Sequence, residues 1–173
     1  MSNNDICLLL GATSVGKTLL LKRLQNILRT GPGPPISPQV GTNLADVTLR
    51  KKKTKVTLRE LGGCMGPIWP SYFNDCSSVI FVVDSVNIAQ ISTSCIQLLS
   101  VLSAEPLRSV PVLILFSKRD MPCTMSLTEI KSLFRMDDII ASAPQPITVL
   151  EVSALSGQGL QEVLSWLESI TVK

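Results

Sequence analysis

Gly11-Ala12-Thr13-Ser14-Val15-Gly16-Lys17-Thr18 is the stretch that decides the fold. It fits the pattern GxxxxGK[ST] and stands between a short apolar run, Ile6 to Leu10, and a segment of helical periodicity. The run reads as a buried strand, and Leu20, Leu21, Leu24, Ile27 and Leu28 recur at helical spacing between Lys17 and Arg29. Strand, loop and helix in that order are what a phosphate-binding loop requires. Glycines let the backbone curl so that successive N–H groups face phosphate oxygens, and the following helix adds its free N–H groups and positive dipole end. Lys17 is then placed to bridge terminal phosphates, Thr18 to offer a hydroxyl to Mg2+, and the backbone from Gly11 through Leu19 to line the phosphates. A chance glycine turn beside a lysine is the competing reading, and the ordered context weighs against it.

Downstream of the loop, Gly31 to Pro38 (GPGPPISP) cannot sustain a helix or a central strand and is expected to be an exposed loop. Leu44 to Leu61 reads as a hairpin, with Lys51-Lys52-Lys53 near its turn. Ser78 to Val83 and Val110 to Phe116 are dense apolar runs of the kind found in central parallel strands, and Ile88 to Leu102 between them has helical spacing. Glu129 to Phe134 is a short helix candidate. Pro144 and Pro146 break the chain before a last strand, Thr148 to Val152, and Leu160 to Ile170 closes it as an amphipathic helix behind Gly157 and Gly159. Strands alternating with helices, plus one hairpin, predict an α/β fold whose mainly parallel sheet has one antiparallel strand, in a single domain over residues 1–173.

Composition narrows the classes. Of 173 residues 45% are hydrophobic and 17% charged, which fits a globular chain able to bury a core. A net charge of +3 gives no case for nucleic-acid binding. Arg50-Lys51-Lys52-Lys53 and Lys55 could touch an acidic membrane surface, but a solvated hairpin tip is the simpler account. The five cysteines are scattered and no histidine is present, so a zinc site is not expected and reduced thiols in the cytoplasm are. No apolar run reaches the roughly 18 residues of a membrane span. Met1-Ser2-Asn3-Asn4-Asp5 lacks the form of a signal peptide or a myristoylation site, and Ile170-Thr171-Val172-Lys173 has no prenylation cysteine. The expectation is a cytoplasmic monomer without lipid anchor, reaching membranes only through partners or an unmarked modification.

The nucleotide base should be read outside the carboxyl ends of later strands. Ser117-Lys118-Arg119-Asp120 follows such a strand and resembles the [NT]KxD guanine motif of small GTPases. An aspartate there accepts two hydrogen bonds, from guanine N1–H and the 2-amino group, which adenine cannot offer. Ser153-Ala154-Leu155 resembles the SAK/SAL turn that meets guanine O6. Glu60-Leu61-Gly62-Gly63-Cys64 stands where Arf-type GTPases carry DxGGQ, with Trp69 and Tyr72 following as theirs do. Phe81-Val82-Val83-Asp84-Ser85 is similar to the Arf strand FVVDS, and Pro38-Gln39-Val40-Gly41-Thr42-Asn43 to their PTxGxN. Over nearly its whole length the chain resembles the Arf-like small GTPase family. That resemblance implies the P-loop small GTPase fold, a six-stranded sheet flanked by helices, with GTP/GDP and Mg2+ as cofactors. It also implies switch regions at residues 38–43 and 60–72, joined by a hairpin from Leu44 to Glu60, and a regulatory role in membrane or ciliary traffic.

The departures bear on mechanism. A switch II glutamine orients the attacking water in working GTPases, and here that position is Cys64, a weak donor and acceptor that also packs well as a small hydrophobe. No catalytic residue is therefore assigned, although the Gly63 N–H could still meet the γ-phosphate. The switch I threonine that ligates Mg2+ aligns with Gln39, a longer side chain that costs more to order. Glu60 replaces the aspartate that holds Mg2+ through water, and Ser117 the asparagine or threonine that braces the phosphate loop. Effectors are expected at Gln39 to Asn43, Arg59, Trp69 and Tyr72. Of the three aromatic positions that Arf switches expose, here Thr42, Arg59 and Tyr72, only Tyr72 keeps a ring. Exchange factor and GTPase-activating protein are not identified by the sequence. A slow-hydrolysing GTP switch is the leading expectation. An efficient GTPase completed by a partner's catalytic group and a pseudo-GTPase scaffold stay open, while an ATP-using kinase fits least.

Overall fold

The computed structural model describes residues 6–11, 20, 22–24, 42–49, 54–61, 63–85, 88–117, 126–153 and 157–170, with 42–49, 54, 55, 63–67, 88 and 127 described by backbone alone. Within them lie six strands: β1 (Ile6–Gly11), β2 (Thr42–Leu49), β3 (Thr54–Leu61), β4 (Ser78–Asp84), β5 (Val112–Ser117) and β6 (Ile147–Glu151). They form one sheet in the order β2-β3-β1-β4-β5-β6. Only the β2–β3 pair is antiparallel, so the single hairpin and the mainly parallel sheet follow the sequence expectation.

β1, β4 and β5 are buried almost throughout, because helices cover the sheet on both faces and each strand must be apolar on both sides. Side chains alternate between two cores with the period of two that a strand imposes. Leu9, Ile80 and Leu113 face a core closed by α4 (Leu160–Ile170) and by Leu20 and Leu24 of the segment after the phosphate loop. Leu8, Phe81 and Phe116 face the other, closed by α1 (Ile91–Leu102), α2 (Leu127–Phe134), α3 (Met136–Ser142) and a 3₁₀ segment, Gly63–Asp75. Two edge-to-face aromatic pairs dock that second layer: Trp69 on Phe81 with centroids 6.5 Å apart, and Phe116 on Phe134 at 6.0 Å.

Local chemistry explains where elements start differently from the apolar pattern. α2 begins at Leu127 rather than Glu129, because Ser126 and Glu129 form a reciprocal capping box: the Glu129 N–H donates to the Ser126 hydroxyl at 3.2 Å, and the Ser126 N–H to the Glu129 carboxylate at 3.4 Å. β5 begins at Val112 rather than Val110, since the Val110 N–H closes a turn onto the Leu107 carbonyl and Pro111 has no N–H to give. α3, missed in the sequence, follows α2 directly through Arg135 in the left-handed region (φ 53°), whose N–H caps the Lys131 and Ser132 carbonyls. Buried Gln145 ties the end of α1 to the approach of β6, donating from Nε2 to the Leu102 carbonyl at 2.8 Å and the Leu107 carbonyl at 3.0 Å.

Burial in the centre of β1 pushes the Cys7 thiol up from its ordinary 9.0 to about 12. The folded value lies above the unfolded one. The thiol's contribution to stability is therefore complete below pH 9 and is lost as pH rises through about 12. Between pH 8 and pH 10.5 the native chain should lose about 2 kcal/mol more stability than Cys7→Ala, as read by denaturant titration under reducing conditions. The cost of the missing sulfur cancels in that difference. Equal losses would show that the thiol does not titrate as placed.

Candidate nucleotide-binding edge of the sheet

The five parallel strands all end on one edge, which brings Leu61, Gly11, Asp84, Ser117 and Glu151 into a row in that spatial order. From β1 the chain goes first to β2 and β3 on one side, then crosses to β4 and β5 on the other. The carboxyl end of β1 is thus the topological switch point, where an open α/β sheet leaves a crevice for a ligand. Gly11, the first residue of the GxxxxGK[ST] stretch, sits there with φ 153°, a value that L side chains rarely adopt.

Around that point the structure places several of the residues singled out by the sequence. Glu60 is buried, 8% exposed, and lies in register with Leu9 of β1, two residues short of Gly11. Ser117 is buried at the end of β5, its hydroxyl donating to the Val83 carbonyl at 3.1 Å. Ser153 is fully buried just past β6, where Val152 continues the ladder by donating to the Phe116 carbonyl at 2.9 Å. The Ser153 N–H donates to the Gln158 carbonyl and the Gly157 N–H returns to the Ser153 carbonyl, both at 2.9 Å, so the turn is tied at its base. Gly63 opens the 3₁₀ segment beyond β3. Ala12 to Leu19, Gln39, Lys118, Asp120, Ala154 and Leu155, with the side chain of Cys64, lie outside the described residues.

One expectation is corrected. Trp69, expected on the partner surface, is 3% exposed and packed edge-on against Phe81, so it belongs to the core. A large ring next to the sheet gains more from burial, about 2–3 kcal/mol, than from solvent exposure. Tyr72 and Arg59 are half-buried and meet each other, the guanidinium carbon 5.1 Å from the ring centroid, a cation–π contact that fixes both side chains. Ser85, quoted only as the end of an apolar strand, proves to be bonded to Ser117. A buried polar residue ending a strand was the available signal.

Among the described residues no three carboxylate or thiol groups converge on a metal position. A Mg2+ ion held mainly by phosphates and water needs only one or two carboxylates, so the hard oxygen donor of Glu60 beside the switch point fits it. A hollow of about 450 Å3 between Leu99, Glu105, Arg108, Ile139 and Pro144 shares no residue with this edge.

The chain matches the ADP-ribosylation factor family over residues 2–171. It belongs to that family. It is 55% identical to human ADP-ribosylation factor-like protein 16 over 97% of this chain and 87% of that protein. It is also 32% identical to ADP-ribosylation factor-like protein 1 of Saccharomyces cerevisiae, over 96% of this chain and 87% of that one. In fold it resembles the Arl6 BBS3 small GTPase from Trypanosoma brucei, solved with the nucleotide analogue GppNp, with a TM-score of 0.77 at 21% identity over 96% of each chain. The chain is therefore an Arf-like small GTPase, of a family of GTP-binding switches that bind GTP and GDP and act through effectors. No described helix is long and apolar enough to cross a membrane.

Within this Arf-like fold Gly159 has no substitute. Its φ is +78°, and a Cβ there would stand 2.1 Å from the Glu151 carbonyl oxygen and 3.0 Å from Val152 Cγ1. Gly159→Ala should cost about 2 kcal/mol or more and loosen the Ser153 turn, lowering the unfolding temperature and speeding GDP release. At Gly157 (φ +90°) a Cβ meets, among the described residues, only Arg23 Nη2, at 3.4 Å, so Gly157→Ala should be the milder of the two. The reverse order in thermal melts would contradict this assignment.

Proposed function

We propose that this chain is a GTP-binding switch in which holding the nucleotide outlasts cleaving it, working as a single G domain through effectors in the cytoplasm. The observation that carries the reading is the arrangement at the sheet edge. Ser117 and Ser153 are buried and bonded at the strand ends that lead into Lys118–Asp120 and Ala154–Leu155. On this reading Asp120 accepts from guanine N1–H and the 2-amino group, and the Ser153 turn, with Ala154 and Leu155, meets O6. Gly11 to Leu19 supply backbone N–H groups to the phosphates, Lys17 a positive charge and Thr18 a hydroxyl for Mg2+. When bound, Mg2+ neutralises charge on the β- and γ-oxygens. Glu60 orients its water shell, with Gln39 as the candidate switch I ligand and the Gly63 N–H directed to the γ-phosphate.

Hydrolysis is slow because the water-positioning residue is Cys64. A thiol cannot present the paired donor and acceptor of an amide to a water and a phosphoryl oxygen at once. Effector contacts fall on Gln39 to Asn43 and on the Arg59–Tyr72 pair, and with Arg59 at an aromatic position of the family the partner differs from the common Arf effectors. The role in membrane or ciliary traffic rests on the family alone. A partner that donates an arginine is the second reading, since such a residue contributes roughly 10³–10⁵ in rate without needing the residue at position 64 to position water.

Single-turnover cleavage of GTP by the purified chain tests the slow switch. Cys64→Gln should cleave faster than the native chain, on the order of tenfold or more. A native chain as fast as the glutamine variant rejects the reading, and failure to bind a fluorescent GTP analogue at any Mg2+ concentration makes it a scaffold. Asp120→Asn should move preference from guanine to xanthine nucleotides, and unchanged GTP affinity would sink the base assignment.

A further inference from the structure

Ser85 follows the last residue of β4 and has no exposed surface. It approaches Ser117, the last residue of β5, with both of its donors. Its N–H reaches the Ser117 carbonyl oxygen at 3.3 Å, and its hydroxyl reaches the same oxygen at 2.5 Å. Ser117 answers with its own hydroxyl, donated to the Val83 carbonyl at 3.1 Å. The two serine hydroxyls thus add their bonds to the backbone ladder at the end of the β4–β5 pair.

The acceptor shared by the two Ser85 donors is the carbonyl of the peptide that joins Ser117 to Lys118. Two donors on one oxygen fix the plane of that peptide, the point at which the chain leaves β5. The hydroxyl bond is short, and with no surface exposed no bulk water competes for either group. A buried serine in this chain need not be bonded in this way. Ser94 in α1 is equally buried, and its hydroxyl has no partner among the described residues.

We infer that Ser85 is a positioning residue for base recognition: its hydroxyl, held on the Ser117 carbonyl, sets the direction of the segment that carries Asp120. The inference rests on the reading of Asp120 as the guanine acceptor. Ser85 touches no nucleotide itself. Its effect enters at the Ser117–Lys118 peptide, three residues before Asp120, and bears on a contact that depends on angle, because two hydrogen bonds from the base must reach one carboxylate together.

The test compares GDP with IDP, which lacks the 2-amino group and so loses one of those two bonds. Dissociation constants and release rates of both nucleotides are measured on the full chain for the native protein, Ser85→Ala, Asp120→Asn, their combination, and Ser94→Ala, alongside thermal melts. Ser85→Ala should narrow the preference for GDP over IDP roughly three- to tenfold and speed GDP release by a similar factor. Ser85→Cys fills the site with a slightly larger atom that is a weaker donor and should narrow it too, which covers poor folding of the alanine variant. In the Asp120→Asn background the same change should add nothing to the loss of guanine affinity. Ser94→Ala should leave the ratio at the native value. A merely structural role for Ser85 would lower the melting temperature, leave the GDP-to-IDP ratio intact and add equally in both backgrounds, and that outcome overturns the inference. If Asp120→Asn itself leaves the ratio unchanged, the base assignment fails first and the inference with it.

Discussion

Everything in this molecule hangs on β1 being hydrogen-bonded on both sides and buried on both faces. A strand so enclosed can carry no polar side chain along most of its length, which is why Ile6 to Leu10 is an unbroken apolar run. It also forces the chain to fill both flanks of the sheet, and that reversal is what opens a crevice at Gly11. The fold therefore creates the ligand position before any ligand-binding residue is chosen. Among the described residues five of the eight buried polar side chains gather where the strands stop: Glu60, Asp84, Ser85, Ser117 and Ser153.

The two flanks are built differently. On the β4–β5–β6 side the strand ends are cross-tied by buried serine hydroxyls and by the backbone bonds between Ser153 and Gly157–Gln158, all with short leverage on the chain that follows. On the β3 side the chain leaves the sheet into a long 3₁₀ segment, interrupted by Pro67 and Pro70, which cannot supply the N–H groups of an α-helix. That segment is pinned by side chains, Trp69 and Phe73 in the core and Tyr72 under Arg59. Backbone ties favour one geometry, whereas side-chain anchors can be exchanged between alternative packings. Such a division suits a protein that reads a base rigidly and reports a phosphate by movement.

Much of this was legible in the sequence because the signals were physical and local. Apolar runs gave the central strands, the phosphate-loop pattern gave the switch point, and Gly157 and Gly159 gave the start of α4, where the structure shows positive φ at both. What stayed hidden was either relational or over-ridden. The Ser85–Ser117 lock depends on strand register, which no run of residues announces. Trp69 looked available to partners because motif position says nothing about depth, and the sheet face claimed its ring. α3 escapes the apolar pattern because it is short and is preceded by Arg135, a non-glycine residue in the left-handed region that local propensity disfavours. The Ser126–Glu129 box, by contrast, was in plain view and would have placed α2 two residues earlier.

The departures from the family pattern fall unevenly over these two flanks, and transition-state reasoning says why that matters. Contacts to the base are the same before and during cleavage of the γ-phosphate, so they hold nucleotide without speeding its hydrolysis. A residue that orients water acts only as the transition state forms. On the proposed reading Asp120 and Ser153 keep the first kind of contact, and Ser117 still ends a bonded strand. Gln39, Glu60 and Cys64 alter the second kind, at or next to the phosphate-sensing segments. Substitutions of this distribution can lower the rate of cleavage while leaving affinity nearly untouched, because the two functions draw on different ends of the same sheet edge. The same separation leaves the Arg59–Tyr72 surface free to suit its own partner, since nothing in base recognition constrains it. The two parts of the proposal, a nucleotide-holding switch and an uncommon effector, then follow from one layout rather than from two independent oddities.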